Sequence, residues 1–404
     1  MPSIDYDVII AGGGPAGLIT SHRIAEDGHN VAVLEEHPEI GKPDHCAGLI
    51  STSGLKSLRL RPPRGVVQNH VSAARIFAPS GQSILIERGK REAFVLDRSK
   101  FDSWLAERAA DAGAEILTKN KVLGVDCVRE RPCTVTLKTG EGREMRRSQV
   151  VVDAEGARCQ LSKLVGLPTV PRRNKYPAYQ FEMSGVDVDD DVVEMYYGRH
   201  FAPGFFAWVI PLGDRRARVG LAAKDLAKMR LETSIRKHPV MSKRLENASI
   251  ERGFGGIVLV GTPIKRTVTG RFLVVGDAAG MVKPTTGGGV IMGGTAARIA
   301  GRVVSRALLD GRQIREGLRL YESNWRALLM RELRAMHLAQ MMISSLSDQG
   351  LNMLIGDAEN FDLVDIVRKE GDMDMQRKVI LRLLVNPYTI LAGLRAIRYF
   401  SPLL

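Results

Sequence analysis

Aromatic side chains make up only 5% of this chain, and its four cysteines include no Cys-x-x-Cys pair. With aromatics so scarce and no recognition motif, a nucleic-acid partner is not expected, even though 58 Lys and Arg outweigh 45 Asp and Glu for a net charge of +13. That balance instead favours small anionic partners such as phosphates, or an acidic membrane surface. Cys46, Cys127, Cys133 and Cys159 lack metal-ligand spacing, and no secretory signal precedes them. The pattern argues against an iron–sulfur cluster, predicts no metal, and points to a reducing, cytoplasmic setting. No apolar stretch reaches the roughly 20 residues that span a bilayer. Even the apolar C-terminus is broken by Arg382, Asn386, Pro387, Arg395 and Arg398, so contact with a membrane would be peripheral, at its inner face. Repeats and low-complexity linkers are missing as well. At 404 residues the chain has material for one large or two interlocked domains.

What is present begins at the N-terminus. Asp7-Val8-Ile9-Ile10-Ala11 is a short apolar β-type run, followed by Gly12-Gly13-Gly14-Pro15-Ala16-Gly17 and a helical pattern from Leu18 to Asp27. Gly12 permits the tight bend, Gly14 lets backbone approach a pyrophosphate, and Gly17 lets the helix pack on the strand. The helix start then offers free N–H groups to phosphate. A second buried run, Asn30 to Leu34, ends at Glu35, where a carboxylate can accept from ribose hydroxyls. Strand–turn character returns at Phe272 to Gly280, with Gly276-Asp277 at its tip, and a small-residue helix starts from Gly287-Gly288-Gly289.

The predicted fold is α/β: a discontinuous Rossmann-like FAD-binding domain over residues 1–165 and 263–310, an inserted β-rich substrate lobe over 166–262, and a helical C-terminal region over 311–404. The insertion shows as strands with Pro- and Gly-containing turns between the two nucleotide-type stretches.

The Gly276-Asp277 tip resembles the second FAD signature of the p-hydroxybenzoate hydroxylase-like flavoproteins, which implies that Asp277 binds the ribityl chain. Asp153-Ala154-Glu155-Gly156-Ala157-Arg158 resembles a third signature of that group, implicating Asp153 and Gly156, and Arg98 matches its cofactor-contacting arginine. Within the superfamily the sequence resembles the geranylgeranyl reductases, notably the archaeal enzymes that saturate digeranylgeranylglycerophospholipids, over residues 4 to 340. Four stretches carry the likeness: the first glycine turn, Gly41-Lys42-Pro43-Asp44-His45-Cys46-Ala47-Gly48, Phe205 to Gly213, and Gly276 to Gly289. The resemblance implies a cysteine near the flavin ring, at Cys46 beside Ala47, as the catalytic candidate. It also implies a lipid pocket at Phe206, Trp208, Ile210 and Pro211, although the family's Tyr-x-Trp-x-Phe-Pro-Lys-Gly signature keeps only Trp208, Pro211 and Gly213 here. The same stretch resembles the Trp-x-Trp-x-Ile-Pro motif of flavin-dependent halogenases, for which Lys56 would have to serve as the catalytic lysine.

The reaction class so implied is saturation of isolated C=C bonds in geranylgeranyl chains of prenyl lipids, with an FAD-dependent monooxygenase or halogenase as the alternative. Cys46, His45 and an ordered water stand as proton sources. Only one nucleotide unit is visible, so the external electron donor stays open between NADPH, ferredoxin and a deazaflavin. Met375 to Leu404 holds five Lys or Arg and no acid among apolar residues, a composition suited to an anionic membrane surface.

Overall fold

In the strand Tyr6–Ala11, Val8 to Ala11 are apolar at consecutive positions because both faces there are covered, as in parallel sheets generally. In the computed structural model, which describes residues 4–127, 132–311, 313–361 and 363–389, this strand pairs in parallel with Val31–Leu34 on one side and Gly142–Asp153 on the other. Glu115–Leu117 and Phe272–Val274 extend the sheet outward, also in parallel. The register sets Ala11, Leu34, Asp153 and Val274 at one level, so the carboxyl ends of four strands open along a common edge. In such sheets the ligand crevice lies outside those ends. Helix Pro15–Glu26 packs against Arg98–Asp111 and against Val290–Asp310, which returns from late in the chain.

An antiparallel branch, Lys121–Asp126 with Cys133–Thr139, leaves this sheet from Gly142–Asp153. It also brings two of the cysteines together. Strand pairing sets Cys127 opposite Cys133, with Cα atoms 4.4 Å apart, and the two are joined in a disulfide, while Cys46 and Cys159 are free. Spacing along the chain did not reveal a pair that a hairpin brings together.

The β-rich lobe is a seven-stranded sheet built on Lys175–Ser184, Val192–Tyr197, Phe206–Gly213, Arg216–Ala222 and Ser249–Leu259. Its remaining strands, Ala73–Phe77 and Ser83–Glu87, come from much earlier in the sequence. Side chains alternate across a sheet with period two. Thus Ala207, Val209, Val219 and Leu221 pack beneath the helix Ala227–Lys237, whereas Phe206, Trp208, Ile210 and Leu212 pack toward the small sheet Leu49–Ser51, Val67–Val71, Ala93–Leu96. Among the described residues the C-terminal region is helical, as the sequence predicts. Tyr321 and Trp325 anchor it: Tyr321 Oη donates to Val274 O at 2.8 Å and Trp325 Nε1 to Thr267 Oγ1 at 3.0 Å, both side chains fully buried.

Candidate functional site

The glycine turn meets the late strand directly. Gly276 has φ +65°, and a Cβ built on it would lie 2.7 Å from Ala16 Cβ; a Cβ on Gly293 would lie 3.0 Å from Gly276 Cα. Gly12 has φ +110° and a Cβ there would meet Ala154 O at 2.3 Å, so only glycine fits beside the Asp153 strand. Gly17 likewise lies against Gly12 O. Gly14, by contrast, faces open space with nothing within 4 Å, and it precedes Pro15 at the start of a helix that no side chain caps. Open space before bare helix N–H groups is what a pyrophosphate requires. Glu35 closes the other side: Gly13 N donates to its Oε2 at 2.8 Å and His37 N to its Oε1 at 2.9 Å. Asp277 reaches the start of the second helix, since a Cβ on Gly289 would come within 2.5 Å of its Oδ1. Burial pushes the Asp277 carboxyl up, while Arg98 pulls it down.

Asp153 and Gly156 sit at the same edge but use their groups differently. The Asp153 carboxylate is fully buried and accepts from Ser162 Oγ at 2.7 Å and Glu155 N at 3.1 Å, so it braces the turn that follows it. Gly156, at φ +75°, opens that turn.

Arg98 lies inside, paired with Asp102 at 3.0 Å. Burial works against its charge, but the Asp102 carboxylate and the Cys46 side chain outweigh it and hold the guanidinium well above its ordinary value. Arg98, Cys46 and Asp277 therefore share one electrostatic neighbourhood. Cys46 is half-buried, and its Sγ accepts from Gly48 N at 3.4 Å. Ala47 packs into the apolar cluster of Phe206, Trp208 and Ile210. Trp208 fits because strand partner Gly220 has no side chain: a Cβ there would meet the indole at 2.4 Å. The indole N–H donates to buried Gln180 Oε1 at 3.3 Å, and Gln180 Nε2 finds no partner. Pro211 is one residue out of phase with that face, and its carbonyl accepts from Asn69 Nδ2 at 3.0 Å. Lys56 and His45 are both exposed, Lys56 on the short helix Thr52–Ser57. Of the basic apolar stretch Met375 to Leu404, residues 390–404 lie outside the described residues.

A small cleft, with a cavity volume of about 40 Å³, opens between the lobe and the C-terminal helices, lined by Tyr197, Phe205, Phe206, Thr285, Ile343 and Leu346 among others. It borders the glycine loop, since a Cβ on Gly287 would touch Val258 at 2.7 Å and Phe205 at 3.6 Å. Among the described residues no cluster of His, Cys, Asp or Glu could hold a metal.

Two buried charges at this junction escaped the sequence reading. Lys283 Nζ lies under Gly288 and pairs with Asp374 at 2.7 Å, whose other oxygen accepts from Ser51 Oγ. Arg218 lies behind the Cys46 loop, in a strand of apolar neighbours. A charged residue in phase with the inward face of an apolar strand was the available signal for Arg218. For Lys283 there was none, because its partner lies 91 residues away.

The sequence profile of the family described as lycopene cyclase protein matches residues 7–352. Digeranylgeranylglycerophospholipid reductase 2 of Methanothermobacter thermautotrophicus is 35% identical over 89% of this chain and 94% of its own length. Digeranylgeranylglycerophospholipid reductase of Methanocaldococcus jannaschii is 31% identical over 89% and 93%. Among solved structures, a geranylgeranyl bacteriochlorophyll reductase-like protein from Thermoplasma acidophilum superposes with a TM-score of 0.85 at 27% identity, covering 97% of this chain and 99% of its own. A flavin-dependent brominase shares the fold at a TM-score of 0.70 and 16% identity, covering 98% of both chains.

Proposed function

The chain belongs to the family of the digeranylgeranylglycerophospholipid reductases, and from that premise we propose that it is an FAD-dependent oxidoreductase that saturates isolated C=C bonds in the geranylgeranyl chains of prenyl lipids, a step of membrane lipid biosynthesis. The observation that carries this reading is how separate chain segments bear on one another. The Gly12–Gly17 turn meets the Gly276–Gly289 stretch, Arg98 acts on both Asp277 and Cys46, and Ala47 next to Cys46 packs on an apolar wall of Phe206, Trp208 and Ile210.

The residues present fit FAD. Gly14 to Gly17 leave room and N–H groups for the pyrophosphate, Glu35 stands ready for a ribose, and Asp277 with Gly287 to Gly289 offers a carboxylate and a helix start to the rest of the cofactor. When bound and reduced, FAD supplies a hydride to one carbon of the alkene. The protein's own part is to position and to dry the site. An unactivated alkene has no polar handle, so alignment along an apolar wall and exclusion of water must carry most of the rate. Cys46 holds the proton for the second carbon: its S–H bond breaks, the proton goes to carbon, and the thiolate left behind faces Gly48 N–H and the Arg98 guanidinium until solvent reprotonates it.

The cleft toward Tyr197, Phe205 and Ile343 is the proposed path of the chain. The lipid's anionic end and the basic, apolar C-terminus together support a peripheral stay on an anionic membrane surface. Met375, Leu381, Val385 and Tyr388 are exposed there, and no described helix is long and apolar enough to cross a membrane. The electron donor is external, a nicotinamide, ferredoxin or deazaflavin.

The test is direct. Dithionite-reduced protein incubated with geranylgeranyl lipids should yield products heavier in steps of two hydrogens. Recovery of unreduced lipid from FAD-loaded, reduced protein overturns the reading, and a long-lived oxygen adduct on mixing with air moves it to a monooxygenase.

A further inference from the structure

Arg218 is the largest buried charge beside the cofactor edge, with 1% of its surface exposed. A guanidinium is expensive to bury unless every donor is used. Here Nε donates to Glu182 Oε1 at 2.9 Å, one terminal nitrogen to Gln68 Oε1 at 2.8 Å, and the other to two backbone carbonyls, Ala47 O at 3.0 Å and Leu96 O at 3.1 Å. Leu96 ends the strand that precedes Asp97 and Arg98, so a single side chain grips both segments that bear on Cys46.

The grip on Ala47 reaches the sulfur. A peptide unit is planar, and its C=O and N–H point in opposite directions. With the Ala47 carbonyl drawn to Arg218, the N–H of the same unit, on Gly48, is turned to the other side, where it donates to Cys46 Sγ at 3.4 Å. Gly48 holds φ +77°, and a Cβ there would strike both Leu96 O at 2.3 Å and the Arg218 guanidinium at 2.4 Å, so no other residue allows this peptide orientation. The loop is closed from outside as well: Arg252 binds Glu182 at 2.7 Å and approaches Asp44 at 3.8 Å, and Cys46 N donates to Asp44 Oδ1 at 3.1 Å. Burial pushes Glu182 up, but the two arginines outweigh it and hold the carboxyl at about 2.

The geometry points to Arg218 as the positioning residue of Cys46, acting through the Ala47–Gly48 peptide: its charge orients and polarises the N–H that meets the sulfur. Hydrogen-bonded chains strengthen one another in a low dielectric, so negative charge developing on sulfur is met by a donor stronger than an isolated amide. This inference rests on the reading that Cys46 works at the site, and it assigns that residue's support.

The experiment follows iodoacetamide labelling of Cys46 by peptide mass in the full-length protein as purified, with Arg218→Met and Arg218→Lys beside the wild type. Cys159 is buried and the other two cysteines are paired, so the label reports one thiol. Loss of the polarised donor should slow labelling at neutral pH about fivefold in Arg218→Met. Turnover should fall with it while KM and FAD content hold. Arg218→Lys keeps the charge needed to fold but cannot reach both carbonyls, and should label at an intermediate rate. If Arg218 merely stiffened the loop, its removal would expose the thiol and labelling would speed up. Faster or unchanged labelling, in Arg218→Lys alone if the methionine variant does not fold, overturns the inference. Failure of the wild type to reduce lipid while labelling slows as expected would instead overturn the functional reading and leave the positioning role standing.

Discussion

Two single residues separate folding from binding. Gly14 has an ordinary φ of −79° and empty space where a side chain would go. Gly14→Ala should therefore leave the melting temperature of the cofactor-free protein nearly unchanged, within about 0.5 kcal/mol. It should weaken FAD at least about tenfold, roughly 1.4 kcal/mol, because the methyl takes the phosphate's room. Fluorescence titration beside a thermal melt reads both. Asp153 works in the opposite sense. Burial, then the nearby Glu155, raises its carboxyl from 3.8 to about 7. The folded state thus holds this proton more tightly than the unfolded chain does, and the stabilisation is complete below about pH 4 and lost as pH rises through about 7. Asp153→Asn should flatten that decline, giving a higher melting temperature than wild type at pH 8; an unchanged slope between pH 5 and 8 refutes the assignment. Gly12, Gly14 and Glu35 could be singled out in the sequence because a nucleotide turn asks for particular residue types at fixed offsets, and Asp277 through its likeness to a flavoprotein signature. The inward turn of Asp153 could not be, since nothing in the sequence says which way a strand-end carboxylate points.

At the level of elements, the segment Asp372–Gln376 ties the C-terminal helices to the glycine loop. Lys283 pairs with Asp374 and also donates to Met373 O at 3.0 Å, and Thr285 Oγ1 donates to Gln376 Oε1 at 2.8 Å. Removing one partner of a buried pair leaves an uncompensated charge, at a cost of about 3–5 kcal/mol. Lys283→Met should destabilise by that order in urea unfolding, and the double change with Asp374→Leu should restore most of it. A single substitution without effect would mean that the pair is open in solution. The strand Phe206–Gly213 teaches a related lesson. Its Trp and Pro were readable as a motif, but the fit of Trp208 over Gly220 depends on the neighbouring strand, and the motif cannot show it.

For the molecule as a whole, the net charge of +13 and the exposed Met375, Leu381, Val385 and Tyr388 bear on where it works. The protein should co-sediment with phosphatidylglycerol vesicles at low ionic strength, release as salt shortens the Debye length to about 3 Å near 1 M, and ignore phosphatidylcholine. Equal binding to both vesicle types at high salt would remove the electrostatic part of the proposal. The sequence by itself determined the α/β class and the family, because each depends on local patterns of residue type whose meaning does not change with context. Tertiary structure decided that Ala73–Phe77 and Ser83–Glu87 join the lobe, that Cys127 bonds Cys133, and that Arg218 and Lys283 become buried charges at the cofactor edge. Those features are pairings between positions far apart in sequence or across a turn. A chain carries the partners' identities, but their distance is fixed only when the sheet closes.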